Sequence, residues 1–257
     1  MPRKGTVALF TDDEARTTRL LHLPAPPAHA YQPALRFHPE YPGWLVFLGQ
    51  AREDCTHVDG SACRVEAFVS RDHGARWEPL LAPVGPGGCS FLRTMRGGRA
   101  HRQALVCMRY PQFGHNGADV VVSETWFKRE TLLVANATDY AIVGEFLLMS
   151  QDADNGKALA MYISQDGRTA KVAQFPGDKK TLDPAYTVLE PSEGFEFRDA
   201  SGFKQKMPGS GLLLHVTKSG GPGKEWGTLY SSDSEGTSYR RALEHVNRDE
   251  IGLVDFE

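Results

Sequence analysis

Few sets of residues in this chain have the types and spacing that chemistry demands. Asp152-Ala153-Asp154-Asn155-Gly156 has the composition of a calcium loop. Its glycine comes one position early, and Ile163 stands where a bidentate carboxylate is required, so it reads as a turn. Gly220-Gly221-Pro222-Gly223-Lys224 lacks both the spacing and the following Ser/Thr of a phosphate-binding loop. Arg93, Arg96, Arg99 and Arg102 with His101 make a basic hairpin tip, the ordinary composition of a solvated loop. No His-Glu-x-x-His and no Gly-x-Ser-x-Gly occurs. A sialidase-type hydrolase needs clustered arginines for the substrate carboxylate and a tyrosine nucleophile supported by a glutamate. The chain has eight tyrosines but no N-terminal Arg-Ile-Pro segment. No catalytic residue, no metal-ligand set and no cofactor is expected.

The four cysteines are better placed for covalent work. Cys55 and Cys63 bracket a polar loop, residues 56–62, and Cys89 and Cys107 lie at facing ends of an expected hairpin. Two local pairs favour disulfides and therefore an oxidising lumen. Reduced thiols in a cytosolic protein remain the other reading, and zinc is disfavoured because neither pair has C-x₂₋₄-C spacing. Asn136-Ala137-Thr138 is an N-glycosylation sequon, in keeping with the secretory route.

The elements that would position these residues follow from a repeat. Five times an apolar strand runs into a Ser/Thr-x-Asp-type turn and then a second apolar strand. The complete copy, Ser70-Arg71-Asp72-His73-Gly74-Ala75-Arg76-Trp77, has the S-x-D-x-G-x-x-W form of the Asp box found in β-propeller blades. The worn copies centre on Thr11 and Asp13, Ser123 and Thr125, Ser164 and Asp166, and Ser231 and Asp233. In such a turn the Ser/Thr and Asp oxygens accept backbone N–H groups, the glycine takes a left-handed conformation and the tryptophan packs beneath the loop. In the first copy Ala15 and Thr18 stand where glycine and tryptophan belong; in the last, Gly236 and Tyr239 come one residue late. The steps between copies, about 59, 53, 41 and 67 residues, fit blades with loop insertions.

Each box is followed by an apolar stretch: residues 19–23, 79–81, 131–134, 171–175 and 240–246. Between boxes stand nearly continuous apolar runs, 43–48, 103–107, 141–149 and 211–216, the mark of strands covered on both faces. The expected fold is all-β, a β-propeller with Asp-box repeats and about five blades. With 257 residues and a formal charge of -3 the chain is long enough for a substantial core and is not a general nucleic-acid binder. The best apolar run, 141–149, is too short to span a membrane and is broken by Glu145.

Beyond residue 120 the residues resemble one family. Ser123-Glu124-Thr125-Trp126-Phe127-Lys128, the run Asp139-Tyr140-Ala141-Ile142-Val143-Gly144-Glu145-Phe146-Leu147, Gly223-Lys224-Glu225-Trp226-Gly227-Thr228-Leu229-Tyr230 and Val246-Asn247-Arg248-Asp249-Glu250 are similar to sortilin-type vacuolar protein sorting receptors of fungi. Upstream, His38-Pro39-Glu40-Tyr41-Pro42-Gly43-Trp44 and Cys89-Ser90-Phe91 fit the same pattern. The resemblance implies a ring of about ten blades in the Golgi and endosome lumen, followed by a cysteine-rich module, a membrane span and a tail. It implies binding of protein or peptide cargo, such as soluble vacuolar hydrolases, and no enzymatic activity.

On that plan residues 1–257 make a single partial propeller domain, without signal peptide, cysteine-rich module or membrane span, as a partial gene model would. Residues 194–208 read as an insertion. The family's tunnel site for a peptide carboxylate implies a ligand role for Tyr239, Arg240 and His245, with His245 at the position that matches the family's arginine. A sialidase-like Asp-box hydrolase and an intracellular propeller scaffold are the alternatives.

Overall fold

The computed structural model describes residues 6–11, 14–28, 33–50, 64–92, 103–111, 117–177, 179–183, 185–189, 196–198, 204–206, 211–218, 226–248 and 254–255. Every regular element among them is a strand. In chain order these are β1 (Thr6–Phe10), β2 (Arg19–Leu23), β3 (Leu35–Phe37), β4 (Leu45–Gln50), β5 (Val65–Ser70), β6 (Glu78–Leu81), β7 (Val84–Phe91), β8 (Leu105–Arg109), β9 (Ala118–Ser123) and β10 (Thr131–Val143). There follow β11 (Phe146–Asp152), β12 (Leu159–Ser164), β13 (Lys171–Val172), β14 (Thr181–Leu182), β15 (Tyr186–Leu189), β16 (Glu196–Arg198), β17 (Lys204–Lys206), β18 (Leu213–Lys218), β19 (Trp226–Ser232), β20 (Tyr239–Arg248) and β21 (Val254–Asp255).

The strands divide between two compact units, the first running through Asp139 and the second from Tyr140 onward. In the first, β1 and β2 form a hairpin, β3-β4-β5-β6 form a four-stranded antiparallel meander, and β7, β8, β9 and the first half of β10 form another. In the second, β11 pairs with β12, which takes β13 and β14 at its far edge, and β15-β18-β19-β20-β21 form the last sheet. The fold is all-β, as the alternating and continuous apolar runs require, and its meanders are of the β-propeller kind. No helix among the described residues is long and apolar enough to cross a membrane.

The inner strands show why the apolar runs are unbroken. All residues of β4 and β9 are buried, as are the first four of β8 and the first five of β11. A strand covered on both faces cannot alternate with polar residues without burying them unpaired. In the first unit Val46, Leu48, Val69, Leu105 and Val121 pack in one core; in the second Leu148, Met161, Ile163, Leu214 and Val216 do so. Burying a side chain of this size contributes roughly 1.5–3 kcal/mol.

One expected strand divides. Residues 141–149 read as a single apolar run, but Gly144 adopts φ +57 and the chain reverses at Gly144-Glu145 between β10 and β11. A glycine at the first position of a two-residue hairpin loop supplies that backbone without a Cβ clash. Glu145, which interrupts the run, is exposed at this tip together with Gly144. Within the segment read as an insertion, β16 and β17 pair as a short hairpin.

Cys89 and Cys107 stand directly opposite one another on β7 and β8 and form a disulfide with both residues buried. Cys55 and Cys63 lie outside the described residues. The bond closes a sequence separation of 18, and constraining a loop of this size in the unfolded chain contributes about 3 kcal/mol. Replacing both Cys89 and Cys107 by serine is expected to lower unfolding free energy by about 2–4 kcal/mol, measured by denaturant titration. An unchanged midpoint would show that the bond contributes nothing.

Candidate functional site

The complete box shows what its oxygens are used for. Ser70, the last residue of β5, accepts the N–H of Gly74 at its Oγ (2.8 Å) and donates its own proton to Asp72 Oδ1 (2.9 Å). Asp72 Oδ1 also accepts the N–H of Arg76 at 2.9 Å. Gly74 sits at φ +82, and a Cβ there would lie 2.9 Å from Leu21 Cδ2. Trp77 donates its ring N–H to the carbonyl of His22 on β2 (3.0 Å), which ties this corner to the neighbouring hairpin.

The worn copies keep the same bonds with different residues. Thr11 Oγ1 accepts the N–H of Ala15 (2.9 Å), and Ser123 Oγ accepts that of Phe127 (2.9 Å). Thr125 replaces the aspartate, its Oγ1 accepting the N–H of Arg129 at 2.9 Å. The third and fourth residues after the hydroxyl are left-handed in all three: Glu14 and Ala15, His73 and Gly74, Trp126 and Phe127. Glycine is therefore dispensable at this corner, at a cost of roughly 1–2 kcal/mol for each other residue. Trp126 offsets its share by packing against the first core, with Trp44 at 5.3 Å and the Arg71 guanidinium 5.6 Å over its ring. Asp13 lies outside the described residues.

In the second unit the corners are shorter or longer by a residue. Ser164 Oγ accepts the N–H of Gly167 at 3.0 Å, while Asp166 Oδ1 accepts those of Arg168 and Thr169, each at 2.8 Å. Asp233 Oδ1 accepts the N–H of Thr237 (2.8 Å), with left-handed Gly236 between them. Ser231 Oγ instead accepts a bond from Arg240 Nε (3.2 Å).

A further copy of the turn was hidden in the sequence. Asp152 Oδ1 accepts the N–H groups of Asp154 (3.0 Å) and Gly156 (2.8 Å), with Asn155 and Gly156 both left-handed. An aspartate in the serine position does the same work, which a search for Ser/Thr-x-Asp cannot see. Its oxygen is turned inward on the backbone, as the reading of this segment as a turn requires. Among the described residues no three His, Cys, Asp or Glu cluster as a metal site.

Electrostatics follow from these bonds. The N–H of Arg76 is the chief cause holding the Asp72 carboxyl below its ordinary range. Burial acts to raise Asp166 and Asp233, but the N–H groups of Thr169 and Arg168 on one, and of Thr237 and Ser238 on the other, outweigh it and lower both.

The three residues with an expected ligand role are not brought together. Tyr239 is buried in the second core, stacked on Phe175 at 4.7 Å, and burial pushes its phenol far up. Arg240 is exposed and holds Ser231. His245 is the extra residue of a bulge in β20, between the pairs Thr228–Glu244 and Gly227–Val246. It is exposed, left-handed at φ +60, and stacks on half-exposed Trp226 at 4.7 Å and 12°. Buried His215 anchors the bulge from below through Val246 O (3.4 Å), and a Cβ on Gly227 would lie 2.6 Å from its ring nitrogen. Trp226 is the surface partner that sequence reasoning missed, because only the β19–β20 register brings it beside residue 245. Asn136 is exposed at a bulge in β10, at φ +50.

Comparison with known proteins bears on this geometry. A family model, Sortilin-Vps10 (sortilin, neurotensin receptor 3), matches residues 2–257. The vacuolar protein sorting/targeting protein 10 of Aspergillus fumigatus is 34% identical over 254 residues, covering 97% of this chain and 15% of that protein. The protein of the same name from Schizosaccharomyces japonicus is 28% identical over 253 residues, covering 96% and 16%. The chain thus spans about a sixth of the length of these relatives. Among solved structures, an α-L-arabinanase of Penicillium chrysogenum complexed with arabinobiose aligns at TM-score 0.38 and 12% identity, over 90% of this chain and 71% of that one.

Two outcomes test the corner. Ala15→Gly is expected to stabilise the chain by about 0.5–1 kcal/mol by relieving the left-handed cost at an exposed site, read in a thermal melt; a fall in Tm would refute it. Because the folded pKa values of Asp72, Asp166 and Asp233 are lowered, their contribution is present above the unfolded value of about 3.9 and is lost as pH falls through the folded values. Melting temperature should drop in that acid window, and less steeply in the Asp72→Asn/Asp166→Asn/Asp233→Asn variant.

Proposed function

This chain belongs to the Sortilin-Vps10 family, and from that premise we propose that it is a cargo-binding portion of a sorting receptor that carries soluble vacuolar hydrolases from the late Golgi toward the endosome and vacuole. The observation that supports this most is the match of the family model to nearly every residue of a chain whose described strands form box-cornered meanders. The relatives are named as sorting proteins, and the Ser, Thr and Asp oxygens that could have served hydrolysis are turned onto their own backbone. The sialidase-like alternative is therefore not favoured.

The oxidised Cys89–Cys107 pair supports lumenal rather than cytosolic residence. So does the exposed Asn136 of the sequon, placed to carry an N-linked glycan. Within this reading the exposed surface around His245 and Trp226 is the face offered to a peptide. An aromatic ring stacked beside an imidazole that can donate a hydrogen bond suits a flexible segment bearing a carboxylate.

Secreted full-length chain, immobilised and exposed to purified soluble vacuolar hydrolases, is expected to show saturable binding in the micromolar range or tighter. A cytosolic enzyme of similar charge should not bind. His245→Ala/Trp226→Ala should weaken binding about tenfold. Absence of binding to every hydrolase, or turnover of a fluorogenic sialoside, would overturn the assignment.

A further inference from the structure

The second unit contains a cavity of about 360 Å³ that the box corners and the His245 surface do not use. Its two walls come from different parts of that unit. One is the segment carrying Phe175, Lys179, Leu182 and Asp183; the other is a patch on adjacent strands, Val216 of β18, Thr228 and Tyr230 of β19, and Arg241 of β20. Phe175, Leu182, Val216 and Thr228 are buried and form the floor, while Lys179, Asp183 and Arg241 are exposed and form the rim.

A gap left by imperfect packing in a core would be lined by apolar atoms throughout. This one is lined largely by polar atoms, with the apolar side chains of Phe175, Leu182 and Val216 on its floor and three charges at its mouth. Neither the Lys179 ammonium nor the Asp183 carboxylate makes a hydrogen bond or ion pair with any described residue. Among the described residues Arg241 commits only Nη1, to Glu244 at 2.7 Å, which leaves its other donors for a ligand. With Glu244 included, two cations face two anions, so a ligand of net charge meets no excess of the opposite sign. A ligand carrying both signs is matched at each end.

We propose that this cavity binds a small zwitterion with an apolar body, a neutral amino acid or dipeptide. Its carboxylate lies on Lys179 and the free guanidinium N–H groups of Arg241, a charge-assisted contact favoured by planar donors. Its ammonium lies on Asp183, and its side chain enters the floor against Phe175, Leu182 and Val216. The volume is at the low end of that of small-molecule sites, a size for one or two amino-acid residues. The site goes beyond cargo binding and stands or falls separately, since hydrolase capture is read on the same chain without small ligand.

The test is calorimetric titration of the full chain with L-leucyl-L-leucine, and with the same dipeptide N-acetylated or C-amidated. The free dipeptide is expected to bind with Kd of about 1 mM or tighter, and each capped form at least tenfold more weakly. Asp183→Asn and Arg241→Gln should each cost about tenfold. Lys171→Gln, an exposed cation outside the cavity that pairs with Glu235, should leave binding unchanged. Where a variant melts early, the capped ligands on the unaltered chain decide. No binding at roughly 10 mM, or binding indifferent to both caps, overturns the proposal.

Discussion

Every described strand-to-strand corner of the box type depends on one contact. A side-chain oxygen at the end of a strand accepts the N–H of a residue three or four positions later, in or beside a left-handed backbone. Thr11, Ser70, Ser123, Asp152 and Ser164 all do this, with three kinds of side chain. At the Ser70 and Ser164 corners, where the bond is buried, an unpaired N–H would cost roughly 1–3 kcal/mol; at the others the same acceptor is kept while the residues around it vary. What holds the motif together is an acceptor at a given place. Glycine and tryptophan only make its satisfaction cheaper.

That contact also joins one sheet to the next within each unit. The left-handed turn aims His73 O at Arg19 and sets Trp77 against the carbonyl of His22. Arg71 in one corner covers Trp126 of the next. In the second unit Lys171 pairs with Glu235 (2.8 Å), and Gln165 donates to Ser234 O (3.1 Å). Each exposed pair alone contributes little.

Much of this was legible in the chain. Most strands after the boxes and most of the continuous inner runs fall where the apolar pattern places them; for inner strands such as β4 and β9 the reason is burial on both faces, which admits only one kind of side chain. The hairpin at Gly144-Glu145 was not legible, since one glycine inside an apolar run reads equally as strand or turn. The Asp152 corner escaped because its acceptor is a carboxylate. The grouping of Tyr239 with Arg240 and His245 came from matching this strand to the family's peptide-carboxylate site. Tyr239 points into the core, residues 240–245 are all exposed, and two register shifts in β20 leave His245 as an unpaired residue on the surface.

The sequence by itself determined the all-β class, the corner oxygens and the family, because these depend on residue type and local spacing. Tertiary structure alone decided which surfaces a ligand meets. Trp226 and His245 are 19 positions apart and stack only through the register of β19 and β20. Lys179 and Asp183 share a cavity with Arg241 only because distant strands pack there. Register and packing are set by the sum of many buried contacts, and no single residue in the chain announces that sum.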